Sequence, residues 1–296
     1  MAVEPKQVTR YTQYKNGNVR SKSIGYGGLY RCDDNASIHH MNGIEEIEQY
    51  YHEDQNGHFT YHNDHGPALV KWWRNGKIQS IYYYRYNELH RVDGPSMELY
   101  NKKGCLVERW HHLNGQPHHS VKPAAEIWFK DGTPSLKVWI KDGYFHRQDK
   151  PAIVQRWEDG SYLAKVWYIE GEIHRQYKPA CIKWWSNGQR LIEYYCENDK
   201  LYRQNGPTVI GWHEDGSVER VLYKYDEILH REDGPAAEKF DEDGNHLYKF
   251  WNIHGKLHCQ TEAAAQEWDE DGFKYRDAWY LNGKYQHGLE GELGFV

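Results

Sequence analysis

An all-β fold, an elongated single-sheet array of β-hairpin repeats, is predicted by three observations. Seven of the ten prolines stand 28 residues apart, at Pro67, Pro95, Pro123, Pro151, Pro179, Pro207 and Pro235. Nine residues after each of them, and after Ala263 in the eighth slot, there is a glycine, from Gly76 to Gly272. Between these marks lie short runs rich in Trp, Tyr and Val that end at Asp-Gly or Asn-Gly pairs, as strands closed by tight turns do. A fixed period of this length is one supersecondary unit that cannot bury its apolar face alone, so neighbours must stack.

The chain divides accordingly. Residues 1–66 read as irregular N-terminal capping repeats: LYRCDD at 29–34 resembles LYRQNG at 201–206 and leaves a 32-residue unit between Asn35 and Gly66. Residues 67–290 read as eight regular 28-residue units and 291–296 as a C-terminal tail, all in one continuous repeat domain. The atypical ends suit units that cap open edges. In the unit that begins at Pro123, a first strand is expected from Ala124 to Phe129, ending at Asp131-Gly132. A second should run from Leu136 to Ile140 and end at Asp142-Gly143, with a short third segment from Tyr144 to Arg147. Aromatic residues recur five and sixteen positions after the proline slot, as at Trp128 and Trp139. Stacking would set each ring beside its equivalent in the next repeat, at roughly 0.5–1.5 kcal/mol per well-arranged pair. Two or three strands per unit advance such an array by ~10–14 Å per repeat, and no helix is expected.

Composition narrows the functional classes. Mean hydropathy is −0.99, yet the chain carries 25 Tyr, 13 Trp and 7 Phe, which suits a thin sheet covered by amphipathic rings. A net charge of −6 argues against a surface built throughout to coat nucleic acid. The five cysteines occupy five different repeat positions, so they form neither a disulfide ladder nor a CxxC pair, and a reducing cytoplasm is the expected setting. No apolar run approaches a membrane span.

The phrases ELHRVDGPSMELY (88–100), YFHRQDKPAIVQRW (144–157) and ILHREDGPAAEKF (228–240) resemble the NGxxHRxDGPA type of MORN-like β-hairpin repeat proteins of phages, giant viruses and bacteria, over about residues 61–288. The resemblance implies single-sheet hairpin arrays that serve as scaffolds, dimerise, or contact lipids and partner proteins. It also implies a phage or viral protein that sequesters a host factor in the host cytoplasm. The HR-x-DGP corner and the longer unit depart from the ordinary MORN repeat.

One histidine recurs 23 residues after the proline slot, including His90, His146, His174 and His230. One ring per repeat sets neighbours about 10 Å apart, too far to share a zinc ion. Each ring is expected to donate to a corner carbonyl or carboxylate, with Arg91, Arg147, Arg175 or Arg231 answering Asp93, Asp149 or Asp233. His111, His112, His118 and His119 are denser, but no cysteine or carboxylate stands at ligand spacing. No nucleophile, phosphate-loop or metalloprotease motif is present, so no catalytic residue, cofactor or metal is implied.

The corner glycine becomes Lys122, Lys150 and Lys178 in three consecutive units. With Arg147, Arg175 and Arg203 these form a basic stripe, the leading partner-binding surface; a solvated edge that resists aggregation is the alternative. The first turns run from basic (Arg74, Lys102, Lys103) to acidic (Asp241, Glu242, Asp243, Asp269, Glu270, Asp271), a polarity suited to self-association into a homo-oligomer. The expected function is a non-enzymatic scaffold for a protein partner. Alternatives are a nucleic-acid binder using the stripe, a self-assembling structural or virion subunit, and a membrane-surface module.

Overall fold

The structure, a computed structural model, describes the backbone of residues 6–13, 19–27, 34–39, 45–53, 58–73 and 75–289, and the side chains of 58, 60–73 and 75–289. Among the described residues there is no helix, so none is long and apolar enough to cross a membrane. The chain forms two compact units, Met1–Tyr144 and Phe145–Val296.

In the first unit, strands Lys6–Gln13, Val19–Gly27, Asp34–His39 and Glu45–Glu53 pair in sequence, all antiparallel. The last of these also pairs with Phe59–Tyr61 and with Leu69–Trp73, the first strand of the regular register. The sheet then continues hairpin by hairpin through Ile78–Tyr82, Met97–Tyr100, Leu106–Trp110, Ala125–Trp128 and Pro134–Val138. The second unit is likewise one antiparallel sheet of consecutive hairpins, from Ile153–Arg156 to Lys284–Leu289.

The repeat that begins at Pro179 shows the construction. Cys181–Trp184 pairs with Arg190–Tyr194 in the main sheet. The turn between them is closed by Gly188, whose φ of +88° favours glycine, and by Asn187 Oδ1, which accepts the Gln189 amide at 2.8 Å. A bulge falls between Lys183 and Trp184, and the same shift recurs beside every first turn with a described ladder, as between Leu99 and Tyr100. After Tyr194 the chain leaves the sheet, and Cys196–Glu197 with Lys200–Leu201 forms a separate two-stranded hairpin. The expectation of one long second strand is thereby corrected. In the Pro123 repeat the strands are Ala125–Trp128, Pro134–Val138 and then Ile140–Lys141, with Trp139 between the last two. The residue at this break turns its amide to the next repeat, as Tyr195 does in donating to Thr208 O at 2.8 Å.

The core is thin and rests on one small residue per repeat. Ala68, Ala124, Ala152, Ala180, Ala236 and Ala264 are all 0% exposed, and Ser96 and Thr208 fill the same slot at 0% and 2%. The expected ladder of equivalent rings is also corrected. Equivalent residues are two main-sheet strands, about 9.6 Å, apart, beyond ring contact. The ring pairs that link one repeat to the next instead join residues 22–24 apart, such as Tyr162 with Trp184 at 5.8 Å and Phe145 with Tyr168 at 5.1 Å.

Candidate interaction surface at the repeat corners

Each small hairpin turns through two left-handed residues, the mirror-image turn that matches strand twist. Examples are Asn114 (φ +48°) with Gly115 (φ +75°) and Asn198 (+52°) with Asp199 (+63°). The recurring histidine holds this turn in the following repeat. Nδ1 of His90, His118, His146, His230 and His258 accepts the backbone amide of Asn114, Asp142, Glu170, His254 and Asn282 at 2.9–3.2 Å. Nδ1 therefore accepts from the next repeat, a role not expected from the sequence, while Nε2 of His62 does face a carboxylate at its own corner, that of Asp64 at 3.3 Å. A backbone N–H is the same for every residue type, so the 24-residue link leaves no signature at its far end. Where Tyr202 replaces the histidine, Lys200 Nζ binds Asp226 at 2.7 Å, and Glu227 Oε1 accepts the Leu201 amide at 3.0 Å.

The corner itself is an arginine laid on the aromatic ring eight residues before it. The guanidinium carbon sits 3.8–4.0 Å from the ring centroid in Arg91 over Tyr83, Arg175 over Trp167, Arg203 over Tyr195 and Arg231 over Tyr223. Nη1 of each donates to a proline carbonyl four residues on, at 3.1–3.3 Å, as does Arg147 to Pro151 O at 3.2 Å. Replacing Arg203 by Met should remove both contacts and cost about 1–3 kcal/mol. Lys should recover less than half of that loss, because it lacks the planar fork. The urea midpoint of each variant checks this.

At two corners an acid completes the brace: Arg91 Nε binds Asp93 at 2.9 Å and Arg231 Nε binds Asp233 at 2.8 Å, which holds both carboxyls below their usual range. The glycine that follows leaves room for the guanidinium, since a Cβ on Gly94 or Gly234 would lie 2.7 Å from its central carbon and the arginine would have to shift. At Arg175 and Arg203 the acid position holds Tyr177 and Asn205. Among the described residues no carboxylate pairs with either guanidinium. Burial pulls Arg147 and Arg175 below arginine's ordinary value. Lys150 and Lys178 stand exposed where the glycine would be, and the residues before them, Asp149 (φ +57°) and Tyr177 (φ +59°), take the left-handed conformation. Tyr177 is 78% exposed. In the first unit, exposed Val121 and Lys122 form the matching corner.

The four clustered histidines are divided among separate contacts. His111 meets His119 edge to face at 4.7 Å, in the slots of the ring and the arginine. His112 Nδ1 shares a hydrogen bond with Ser96 Oγ at 2.8 Å in the core, and His118 braces the Asp142 turn. Among the described residues no group of three His, Cys, Asp or Glu is placed to hold a metal ion. The first-turn residues Lys102, Lys103, Glu242, Asp243, Asp269, Glu270 and Asp271 are exposed, and Arg74 lies outside the described residues. Asp241 and Asp269 spend their carboxylates on local amides, those of Asn245 at 2.7 Å and Phe273 at 2.8 Å.

Between successive corners the surface is grooved. A cavity of about 510 Å³ lies between the Arg203 and Arg231 corners over Tyr223, Lys224 and Tyr225. Its counterpart in the first unit, about 440 Å³, is lined by the equivalent residues of Asn63–Gly66, Tyr83–Arg85 and His90–Asp93. Fold and surface together define an all-β hairpin-repeat protein with a periodic row of basic corners. No protein-family model matches the chain, and no curated protein matches it significantly.

Proposed function

We propose that this protein is a non-enzymatic interaction scaffold that binds a protein partner through the corners of its middle repeats, around Lys122 in the first unit and around Arg147, Lys150, Arg175, Lys178 and Arg203 in the second. The observation that carries the reading is the incomplete corner. Arg175 and Arg203 keep their ring and carbonyl contacts but lack the acid that Arg91 and Arg231 possess. A desolvated guanidinium beside exposed tyrosine and lysine is the composition in which interface hot spots are found. The arginine is thus fixed by the fold, and its open edge is left to a partner.

A nucleic-acid surface would use the same cations but needs free ring faces for bases to stack on. The rings beneath Arg175 and Arg203 already have a face covered, which favours protein. A pull-down from lysate compares the wild type with a folded Lys122→Glu, Lys150→Glu, Lys178→Glu variant. The expected result is one protein retained by the first and lost by the second. Equal recovery from both would retire the corner surface.

A further inference from the structure

We infer that the corners of Arg175 and Arg203 receive an extended acidic peptide segment whose carboxylates recur at every third residue. The inference rests on the scaffold reading above and specifies the chemistry of the partner.

The protein itself displays the ligand that these corners lack. At the Arg231 corner, Nη1 is held by Pro235 O at 3.2 Å and Nε by the Asp233 carboxylate at 2.8 Å. At Arg175 and Arg203 the carbonyl half is kept, at 3.1 Å in both, and the carboxylate half is absent. An Asp or Glu side chain from outside completes the same fork, and charge-assisted pairs of this kind are the strong ones. The adjoining positions add attraction: Lys178 is exposed beside Tyr177, and Lys224 lines the groove beyond Arg203, whose one acidic lining residue, Asp233, is already paired with Arg231.

Spacing then fixes the period of the segment. Successive corners lie two main-sheet strands apart, about 9.6 Å. Three residues of a polyproline II chain span about 9 Å and bring the side chain back to the same face, as a β-strand with its two-residue alternation would not. Acids at i and i+3 therefore meet Arg175 and Arg203 in turn. The cavity between the Arg203 and Arg231 corners, flanked by Tyr202 (37% exposed) and Tyr225 (60% exposed), has room for the side chains that follow them. At the Arg231 corner Asp233 closes the row, so two acids suffice and a third gains nothing there.

The test uses a ten-residue peptide with glutamate at every third position and serine and tyrosine between. Its control is an isomer of identical composition with the glutamates contiguous. Titration against the full chain should show the periodic peptide binding at least about tenfold tighter than the isomer, a difference of about 1.4 kcal/mol. A Tyr177→Asp, Lys178→Gly, Asn205→Asp variant rebuilds at each corner the Asp-Gly pair of Asp93 and Asp233 without touching the arginines or their rings, and Lys178→Gly alone is its control. The triple variant should unfold at the wild-type temperature or above and lose the periodic peptide. Equal binding of the two peptides overturns the three-residue period. A single-stranded oligothymidylate that outcompetes the peptide and is lost from the same variant identifies a nucleic-acid surface and overturns the inference. If neither peptide binds while the lysine-reversal variant still loses its captured protein, the scaffold reading stands and the acidic segment is wrong. If that capture is also unchanged, both fail.

Discussion

Lowering the pH from 7 to 4 will weaken the first unit by about 1–3 kcal/mol through His111. In this repeat the ring-and-arginine pair has become His111 and His119, meeting edge to face at 4.7 Å. Burial, then the neighbouring His119 and Arg109, pushes His111 from 6.5 down to about 4. The fold thus favours the neutral ring. Above pH 6.5 both states are neutral and stability is whole; between 6.5 and about 4 the unfolded chain takes up a proton that the folded one refuses. A displacement of this size corresponds to about 3 kcal/mol at full weight, and partial exposure of the ring screens it. His112 and His119 are lowered by burial too, so they add in the same direction. Amide exchange of Met97–Tyr100 and Leu106–Trp110 across this range measures the loss. A His111→Tyr, His119→Arg variant rebuilds the Tyr83–Arg91 pair and should retain most of the stability at pH 4. Equal acid sensitivity of variant and wild type would show that the pair is not the cause.

Ala236→Leu should destabilise the second unit by about 3 kcal/mol, whereas Ala236→Ser should cost less than about 1 kcal/mol. Ala236 has no exposed surface. Its amide is fixed to Phe250 O at 2.8 Å and its carbonyl to Tyr223 N at 2.7 Å, so the backbone cannot move aside for a larger side chain. A serine has a place for its hydroxyl, because Ser96 and Thr208 in the same slot donate theirs to Trp110 O and Leu222 O at 3.2 Å. Urea midpoints of the two variants decide the matter, and a leucine variant as stable as the wild type would show that the slot is not a tight core position.

The all-β array of hairpins was legible because its signals are local. A glycine at each first turn, Asn or Asp one residue before it in most repeats, and a turn pair at each small hairpin are enough to place the strands. All eight glycines of the first turn take positive φ, from Gly76 at +77° to Gly272 at +78°. The separate small hairpin was not legible, since Tyr194-Tyr195-Cys196 reads as unbroken strand and leaves the sheet where the Tyr195 amide bonds to Thr208 O of the next repeat. The histidine brace was hidden for a related reason, its acceptor role being defined by a main-chain group 24 residues away. The arginine stacked on its ring did have a signal. Positions 111 and 119 depart from the pattern together, and the stacked pair of Trp279 and His287, at 5.2 Å, occupies the same two slots. The acid-less corners of Arg175 and Arg203 were only partly visible: Lys178 stands at the first, but the second keeps the ordinary glycine as Gly206, and the missing acid gains meaning only beside the intact Asp93 and Asp233 pairs.

The histidine that reaches forward 24 residues also bears on how such a chain can change length. Each brace is addressed to the next turn by a fixed count, so an insertion or deletion of a few residues between them would leave both ends mismatched. Removal or duplication of a whole 28-residue block returns every donor to an equivalent acceptor. The number of repeats is therefore the variable that heredity or an engineer can alter freely, while the phase within a repeat is locked.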